Sequence, residues 1–402
     1  YDDVIIAWML TNLCGGMRLD HITKLRRSLD IIPGLKLPSH DTLGRVMKSL
    51  ATEITTTEHV HRGKIKNQKE AKRKGRKTYE IITYRETNEN DPLNELLVKC
   101  TKKMGLLKEN KSYTLDMDAT LIPTKCFSAK KNYKKQYGHQ PMVSCIDKLP
   151  VYIGMRNGNV SPGAEIKECL EKTIGFLEKS KIKVDKVRLD GGSYSKNGFQ
   201  FLDEKEIKFY SGIVSSKVIM DKIEAINSWK QFSLETSTVF WECEAGCFTH
   251  TLFKSEKPYR YVVLRVLKKN SYKAPSHWTS GNGKYAYKII VTNDLTSSEY
   301  DIVKFYNNRG TAERNFDDLK NNFAWRLPPF CEMNQNTVFI IISALTSNVY
   351  QGLLQMFSKK IPELRLNARL REFIYIFMSV ACELTDVEYV FYDTDIAYEK
   401  IC

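Results

Sequence analysis

Apolar positions change their period twice along the chain. Over residues 1–60 they recur at helical spacing. Val4 to Leu13 is an apolar run ending near Gly15-Gly16, and Leu37-Pro38-Ser39-His40-Asp41-Thr42-Leu43 reads as a turn feeding a new helix, with Ser39 or Asp41 as N-cap. Residues 79–110 read as a second helical segment. From Lys111 the pattern shifts to strands: Ser112 to Met117, Met142 to Ile146 and Val151 to Arg156. Ala164 to Glu178 is an amphipathic helix, Lys186 to Leu189 a short buried strand, Asn197 to Glu204 a helix and Ile207 to Val214 a strand. Residues 215–296 are β-rich and aromatic, with runs at Val239 to Cys243, Phe248 to Phe253, Tyr259 to Leu267 and Tyr285 to Thr292. Helix resumes at Ser298, and an apolar helix runs from Gln335 to Met356.

Three strands followed by alternating helix and strand is the order of an RNase H-like α/β core. The expected organisation is a helical N-terminal region at 1–110, a core built from 111–214 and 297–357, a β-rich insertion at 215–296, and a C-terminal helical segment at 358–402. The two short N-terminal helices suit a helix-turn-helix DNA reader and an ordinary helical bundle equally well.

Charge sharpens this picture. The 402 residues carry a formal net charge of +15, which points to an acidic partner, nucleic acid first among them. The surplus is concentrated. Residues 62–78 hold nine Lys or Arg, Lys72, Arg73 and Lys74 among them, against Glu70 alone. Such an arm neutralises phosphates without reading bases. With 42% hydrophobic and 27% charged residues the composition is that of a globular chain. There is no signal peptide, and the ten cysteines have no framework spacing, so a reducing cytoplasm is the expected setting. The strongest apolar stretch, Val338 to Leu345, is too short to span a bilayer. The chain begins at Tyr1 and stops at Cys402, so a little sequence is expected to be missing at one or both ends.

The most specific chemistry lies in Tyr306-Asn-Asn-Arg309-Gly-Thr-Ala-Glu313 with Lys320 beyond it. At about 100° per residue, Arg309, Glu313 and Lys320 fall roughly 60°, 20° and 40° behind Tyr306 on a helix. One stripe then carries a hydroxyl, a guanidinium, a carboxylate and an ammonium, a set suited to gripping phosphates and a metal ion. Two upstream strands end in acids. In Leu115-Asp116-Met117-Asp118-Ala119-Thr120 both aspartates share one face by strand alternation. In Val187-Arg188-Leu189-Asp190-Gly191-Gly192 the aspartate precedes a glycine turn that leaves room for a ligand. Helical phase alone leaves Asp317 as a rival to Glu313, and strand phase leaves Asp116 as a rival to Asp118. Cys243, Cys247 and His250 lack the spacing and the fourth ligand of a zinc site and read as strand residues. No nucleophile elbow supports a serine hydrolase.

These motifs resemble the Tyr-(2)-Arg-(3)-Glu-(6)-Lys signature of bacterial insertion-sequence transposases, whose Glu completes an Asp-Asp-Glu catalytic triad. Tyr133, Tyr137-Gly138-His139-Gln140-Pro141 and Met155-Arg156-Asn157-Gly158-Asn159 resemble two further segments of the insertion-sequence family thirteen-eighty, within the insertion-sequence-four group. The resemblance implies that Asp118, Asp190 and Glu313 hold Mg²⁺, as two ions and with Mn²⁺ as a substitute. Asp116 would then support Asp118. Tyr306, Arg309 and Lys320 would bind phosphates of the transposon end. It implies a homodimer on double-stranded DNA that cleaves transposon ends and transfers the freed strands to target DNA, in the cytoplasm of a bacterium, at the nucleoid. In some members of the group a Trp of the insertion holds a flipped base, for which Trp278 and Tyr285 are the counterparts to consider; core packing explains either as well. The alternatives are a nuclease without strand transfer and an inactive DNA-binding relative.

Overall fold

The computed structural model describes residues 2–29, 36–64, 78–124, 126–213, 215–235, 240–251, 257–267, 278–280, 284–361, 364–378, 382–384 and 389–391. Helices α1 (Asp2–Leu13), α2 (Ile22–Leu29) and α3 (His40–Ser49) open the chain. Ser39 caps α3 by accepting from the Thr42 amide, as the polar turn predicts. A β-hairpin follows, β1 (Thr55–Lys64) and β2 (Thr78–Glu89), and then α4 (Asp91–Lys103).

The hairpin corrects the expectation of an all-helical region 1–110. Its sequence is rich in Thr, Ile and Tyr, residues that favour extended backbone. Its end is held from outside: Thr87, Asn88 and Glu89 pair antiparallel with Arg156, Met155 and Gly154. The side chains of the basic arm 62–78, Lys72, Arg73 and Lys74 included, lie outside the described residues.

The central elements match their expected positions closely: β3 (Ser112–Ala119), β4 (Met142–Ile146), β5 (Leu149–Arg156), α5 (Ile166–Lys179), β6 (Lys183–Leu189), α6 (Lys196–Glu204) and β7 (Lys208–Gly212). A helix not expected in the β-rich region, α7 (Lys217–Glu224), follows. Across the sheet the order is β5-β4-β3-β6-β7, with β5, β4 and β3 antiparallel and β6 and β7 parallel to β3.

Four strands of the region 215–296 then continue this same sheet: β8 (Lys230–Glu235), β9 (Phe240–Thr251), β10 (Pro258–Leu267) and β11 (Tyr285–Thr292). β11 pairs with β7, and β10, β9 and β8 follow in order. The insertion is therefore an extension of the central sheet, and the two expected runs around Phe240 and Phe248 are one strand. Helices α8 (Glu299–Asn307), α9 (Gly310–Asn322) and α10 (Met333–Phe357) come next. A short helix, α11 (Leu370–Phe373), continued by a π-helical stretch Ile374–Met378, and a two-stranded pair of Cys382–Leu384 with Tyr389–Phe391 are the described elements after Phe357, so the C-terminal segment is not purely helical.

Strand alternation divides the core into two layers. Leu115, Met117, Val187 and Leu189 point into one layer with α5 and α6. Val143, Cys145, Ile153 and Met155 point into the other, with α1, α3 and α10. Helix α10 is long and apolar enough to cross a membrane, but it is mostly buried within this second layer. Its Asn348 donates to the Thr101 hydroxyl at 2.7 Å and to the Pro150 carbonyl at 2.9 Å. Those bonds tie α4 and β5 to α10 and give the buried amide nitrogen two acceptors.

Candidate active site at the ends of two parallel strands

Leu115 and Met117 face the α5 layer, so Asp116 and Asp118 face the other way, toward α8 and α9. Parallel pairing sets β3 beside β6 with Asp116 opposite Arg188 and Met117 opposite Leu189. The ladder ends there, and Asp118 and Asp190, 72 residues apart in sequence, are the next residue on each chain; the charges of both act on Arg309.

The two aspartates of β3 are used differently. Asp116 is buried and receives both Nε and Nη2 of Arg188, at 2.7 and 2.6 Å. Arg188 also donates to the Phe305 carbonyl at 3.0 Å, which ties the end of α8 to β6. Burial raises the pKa of Asp116, and Arg188 opposes that shift. Asp118 pairs with Arg309 at the strand end, and its Oδ1 accepts from the Ala119 amide at 2.8 Å.

Asp190 caps the turn Gly191–Ser193 by accepting from the Ser193 amide at 2.7 Å. The following loop approaches closely here. A Cβ on Gly212 would lie 2.6 Å from the Tyr306 hydroxyl and 3.1 Å from the Gly191 amide, so no larger residue fits.

The Tyr306–Lys320 segment does not run as one helix. α8 ends at Asn307, Arg309 precedes α9, and the joint is tightened by an Arg309 amide to Tyr306 carbonyl bond of 3.0 Å. The phases expected for a continuous helix therefore do not apply across the joint. Tyr306 is only 7% exposed, and its hydroxyl donates to the Leu189 carbonyl at 3.2 Å, one residue before Asp190. Burial pushes its pKa up to about 12; Arg309 opposes and the Asp190 charge reinforces that shift. Tyr306 thus pins the β6 end from inside instead of standing at the rim.

Arg309 lies among the acids. Burial disfavours its charge, but Asp118, Tyr306, Asp190 and Asp116 outweigh that and raise its pKa. Lys288 of β11 is also packed here, over the Tyr306 ring and bonded to Asn307. Burial lowers its pKa to about 8, with the Arg309 charge adding to the effect.

Lys320 faces the same end. Burial lowers its pKa, the Arg326 and Lys134 charges push the same way, and Asp317 and Asp118 oppose. Asp317 is half-exposed, accepts from Asn321 at 2.6 Å and lies 3.6 Å from Arg369. It is an outward-facing member of α9. The backbone of Glu313 lies in the first turn of α9, and its side chain falls outside the described residues.

Among the described residues no group of three or more His, Cys, Asp or Glu is placed to hold a metal ion. Cys243 is a buried residue of β9, and Cys247 donates to Glu299. Trp278 packs partly buried against the Tyr210 and Phe232 cluster. Tyr285 stacks on the Arg265 guanidinium, 4.5 Å from its ring centroid, with Trp229 on the other flank at 3.8 Å. Arg188, Lys288, Lys134 and Arg326 are residues of this end to which the sequence assigns no role. Only the acid-free composition around Lys134 could have signalled one of them.

The model of the family described as Transposase DDE domain group 1 matches residues 4–387. The chain belongs to this DDE transposase family. No curated protein matches it. Among solved structures, a piggyBac transposase synaptic complex with hairpin DNA is similar, with a TM-score of 0.44, 13% sequence identity, and coverage of 94% of this chain and 71% of that one. In this DDE transposase chain, Asp118 and Asp190 each follow the last paired residue of two neighbouring parallel strands.

Proposed function

We propose that the protein is an active DNA transposase whose five central strands form an RNase H-like core. Asp118, Asp190 and Glu313 serve as the acids of its cleavage centre. The observation that supports this reading is that Asp118 and Asp190 each follow the last paired residue of parallel β3 and β6, with Arg309 supplying counter-charge to both.

The donors suit a divalent ion. Carboxylate oxygens in sparse number favour Mg²⁺, with Mn²⁺ as its substitute, because such ions keep water and phosphate oxygens as further ligands. Two ions held by these acids would activate a water or a 3′-hydroxyl and stabilise the leaving oxygen in phosphoryl transfer. The chain's own contribution is positional. Tyr306 and Arg188 fix the two strand ends, and the Ser193 amide orients Asp190. Arg309 and Lys320 offer cations to DNA phosphates, Arg309 in a bidentate manner. The basic arm with Lys72, Arg73 and Lys74 adds contacts that do not depend on sequence. The protein acts as a homodimer on paired transposon ends, cutting them and joining the 3′ ends to target DNA in the cytoplasm, at the nucleoid.

Asp190→Ala tests the reading. End binding should stay nearly intact and cleavage should be abolished; retained cleavage sinks the assignment of the acids. Joined products in a plasmid-target assay separate a transposase from a nuclease on the same core. Failure to bind Mn²⁺ would favour an inactive DNA-binding relative.

A further inference from the structure

From Ala119 to Ile146 the chain contains five lysines and no acidic residue. This stretch leaves β3 directly after Asp118 and returns as β4. Its middle forms a small three-stranded sheet of Ile122–Pro123, Lys130–Lys131 and Tyr137–His139. Three aromatic rings stand out in solvent on this sheet and its connecting turns: Phe127 at 102%, Tyr133 at 70% and Tyr137 at 54% relative exposure. An isolated exposed aromatic is ordinary; three within eleven residues, interleaved with cations, call for a ligand. Lys131 lies 5.2 Å from the Tyr137 ring and Lys134 5.7 Å from the Tyr133 ring.

The support beneath these rings is stiff. The buried Asn132 side chain accepts from the Lys134 amide at 2.8 Å and the Gln136 amide at 3.1 Å. That closes the turn carrying Tyr133 and sets Lys135 at φ 61. Asn157 accepts from the Lys130 amide at 2.7 Å and donates to the Ser128 carbonyl at 2.9 Å. A Cβ on Gly158 would come within 2.4 Å of the Lys130 carbonyl and 2.6 Å of the Gly138 carbonyl. The Asn157-Gly158 turn is thus a clamp for this sheet, and only glycine lets the two approach. Lys134 also lies close enough to Lys320 to push its pKa down, so the sheet borders the acid end.

We propose that this small sheet is a stacking platform for unpaired nucleotide bases next to the phosphate to be cut. Exposed aromatics with interleaved lysines are what single-stranded nucleic acid requires: rings for bases, cations for the backbone between them. The lack of acids favours a polyanion over a protein partner, and the stiff support lowers the ordering cost of binding. From the proposed function the inference takes only that DNA enters at Asp118.

The test is equilibrium binding in EDTA, where no cleavage can contribute. The probes are a short fluorescein-labelled oligothymidylate and a blunt duplex of equal length. In the triple variant Phe127→Ala, Tyr133→Ala, Tyr137→Ala, oligothymidylate affinity should fall by about 10-fold or more, with duplex affinity changed by less than about 3-fold. The double variant Lys131→Gln, Lys134→Gln should flatten the salt dependence of single-strand binding by about 1.4 in log–log slope. Equal loss on both probes, or none on either, overturns the platform. So does dimerisation of the DNA-free wild type that the triple variant abolishes, which would make these rings a contact between copies. Asp190→Ala should keep the single-strand affinity; intact platform binding in a variant that still cleaves with Mn²⁺ added would show the proposed function failing by itself.

Discussion

Asp116 and Asp118 stand two residues apart on one face of β3, and each meets an arginine, yet the two pairs are built differently. Arg188 is directly across the sheet ladder from Asp116 and grips it with two bonds, the side chains being 3% and 8% exposed. Arg309 reaches Asp118 from the joint between α8 and α9, 191 residues later. The first pair is fixed by strand register and sealed under the Phe305 carbonyl. The second sits at the strand end, its arginine carried on a helical joint that no side-chain cap secures. The same pair of residue types therefore serves to fasten the core in one place and to hold a carboxylate ready in the other.

The largest expected difference between the two aspartates is catalytic. Asp118→Asn should lower DNA cleavage by about 10³-fold or more, since a lost metal ligand removes charge stabilisation in the transition state. Its chemical-denaturation midpoint should stay close to that of the wild type. An Asp116→Asn protein that folds and still cleaves would confirm the division of labour. If instead Asp118→Asn cleaves normally and Asp116→Asn does not, the two roles are exchanged.

The next effect is on stability. Arg188→Met leaves Asp116 buried without its partner and should cost about 3–5 kcal/mol in unfolding free energy. The double variant Asp116→Leu, Arg188→Met should recover most of that loss, because a buried ion pair is often no better than an apolar pair of similar volume. Non-recovery would mean that Arg188 acts mainly through its bond to the Phe305 carbonyl.

The sequence announces these strands but not their partners. Alternation around Asp116 and Asp118 and the apolar run before Asp190 mark both strand ends, because burial imposes period two on side chains. Nothing local tells that Asp116 meets Arg188, 72 residues on, because register between parallel strands is set by the whole sheet. The same holds for the hairpin. Ile81-Ile82-Thr83-Tyr84 carries a β-propensity signal, but with Ile81, Ile82 and Tyr84 exposed there is no clean alternation to support it. The Tyr306–Lys320 stripe is legible as chemistry and misleading as geometry, since a tightened turn at Asn308 and Arg309 shifts the phase that residue counting assumes.

His139 sharpens the contrast between answered and unanswered buried polar groups. Asp116 has Arg188; His139 is fully buried, and both its ring nitrogens lack a partner among the described residues. Burial lowers its pKa from 6.5 to about 4. In the unfolded chain His139 binds its proton near pH 6.5, so below that pH the unfolded state takes up more protons than the folded one. Stability is therefore full above pH 6.5 and declines as pH falls toward 4, by about 2–3 kcal/mol from this residue. Urea unfolding across that range should show the decline in the wild type and a shallower one in His139→Gln. Equal slopes would mean that a partner takes the proton.

The smallest effect concerns Arg309 itself. If its bond to Asp118 stands in for an ion, the arginine competes with metal twice, by occupying the carboxylate and by adding positive charge beside Asp190. Arg309→Gln should then bind Mn²⁺ about 3–10-fold more tightly by calorimetry, which corresponds to the roughly 1 kcal/mol typical of one partly exposed ion pair. The metal-free protein should lose stability by a similar amount. Weaker Mn²⁺ binding would reverse the conclusion: Arg309 would then be holding Asp118 in place for the ion, and both arginine partners of the β3 aspartates would be fasteners, differing only in depth.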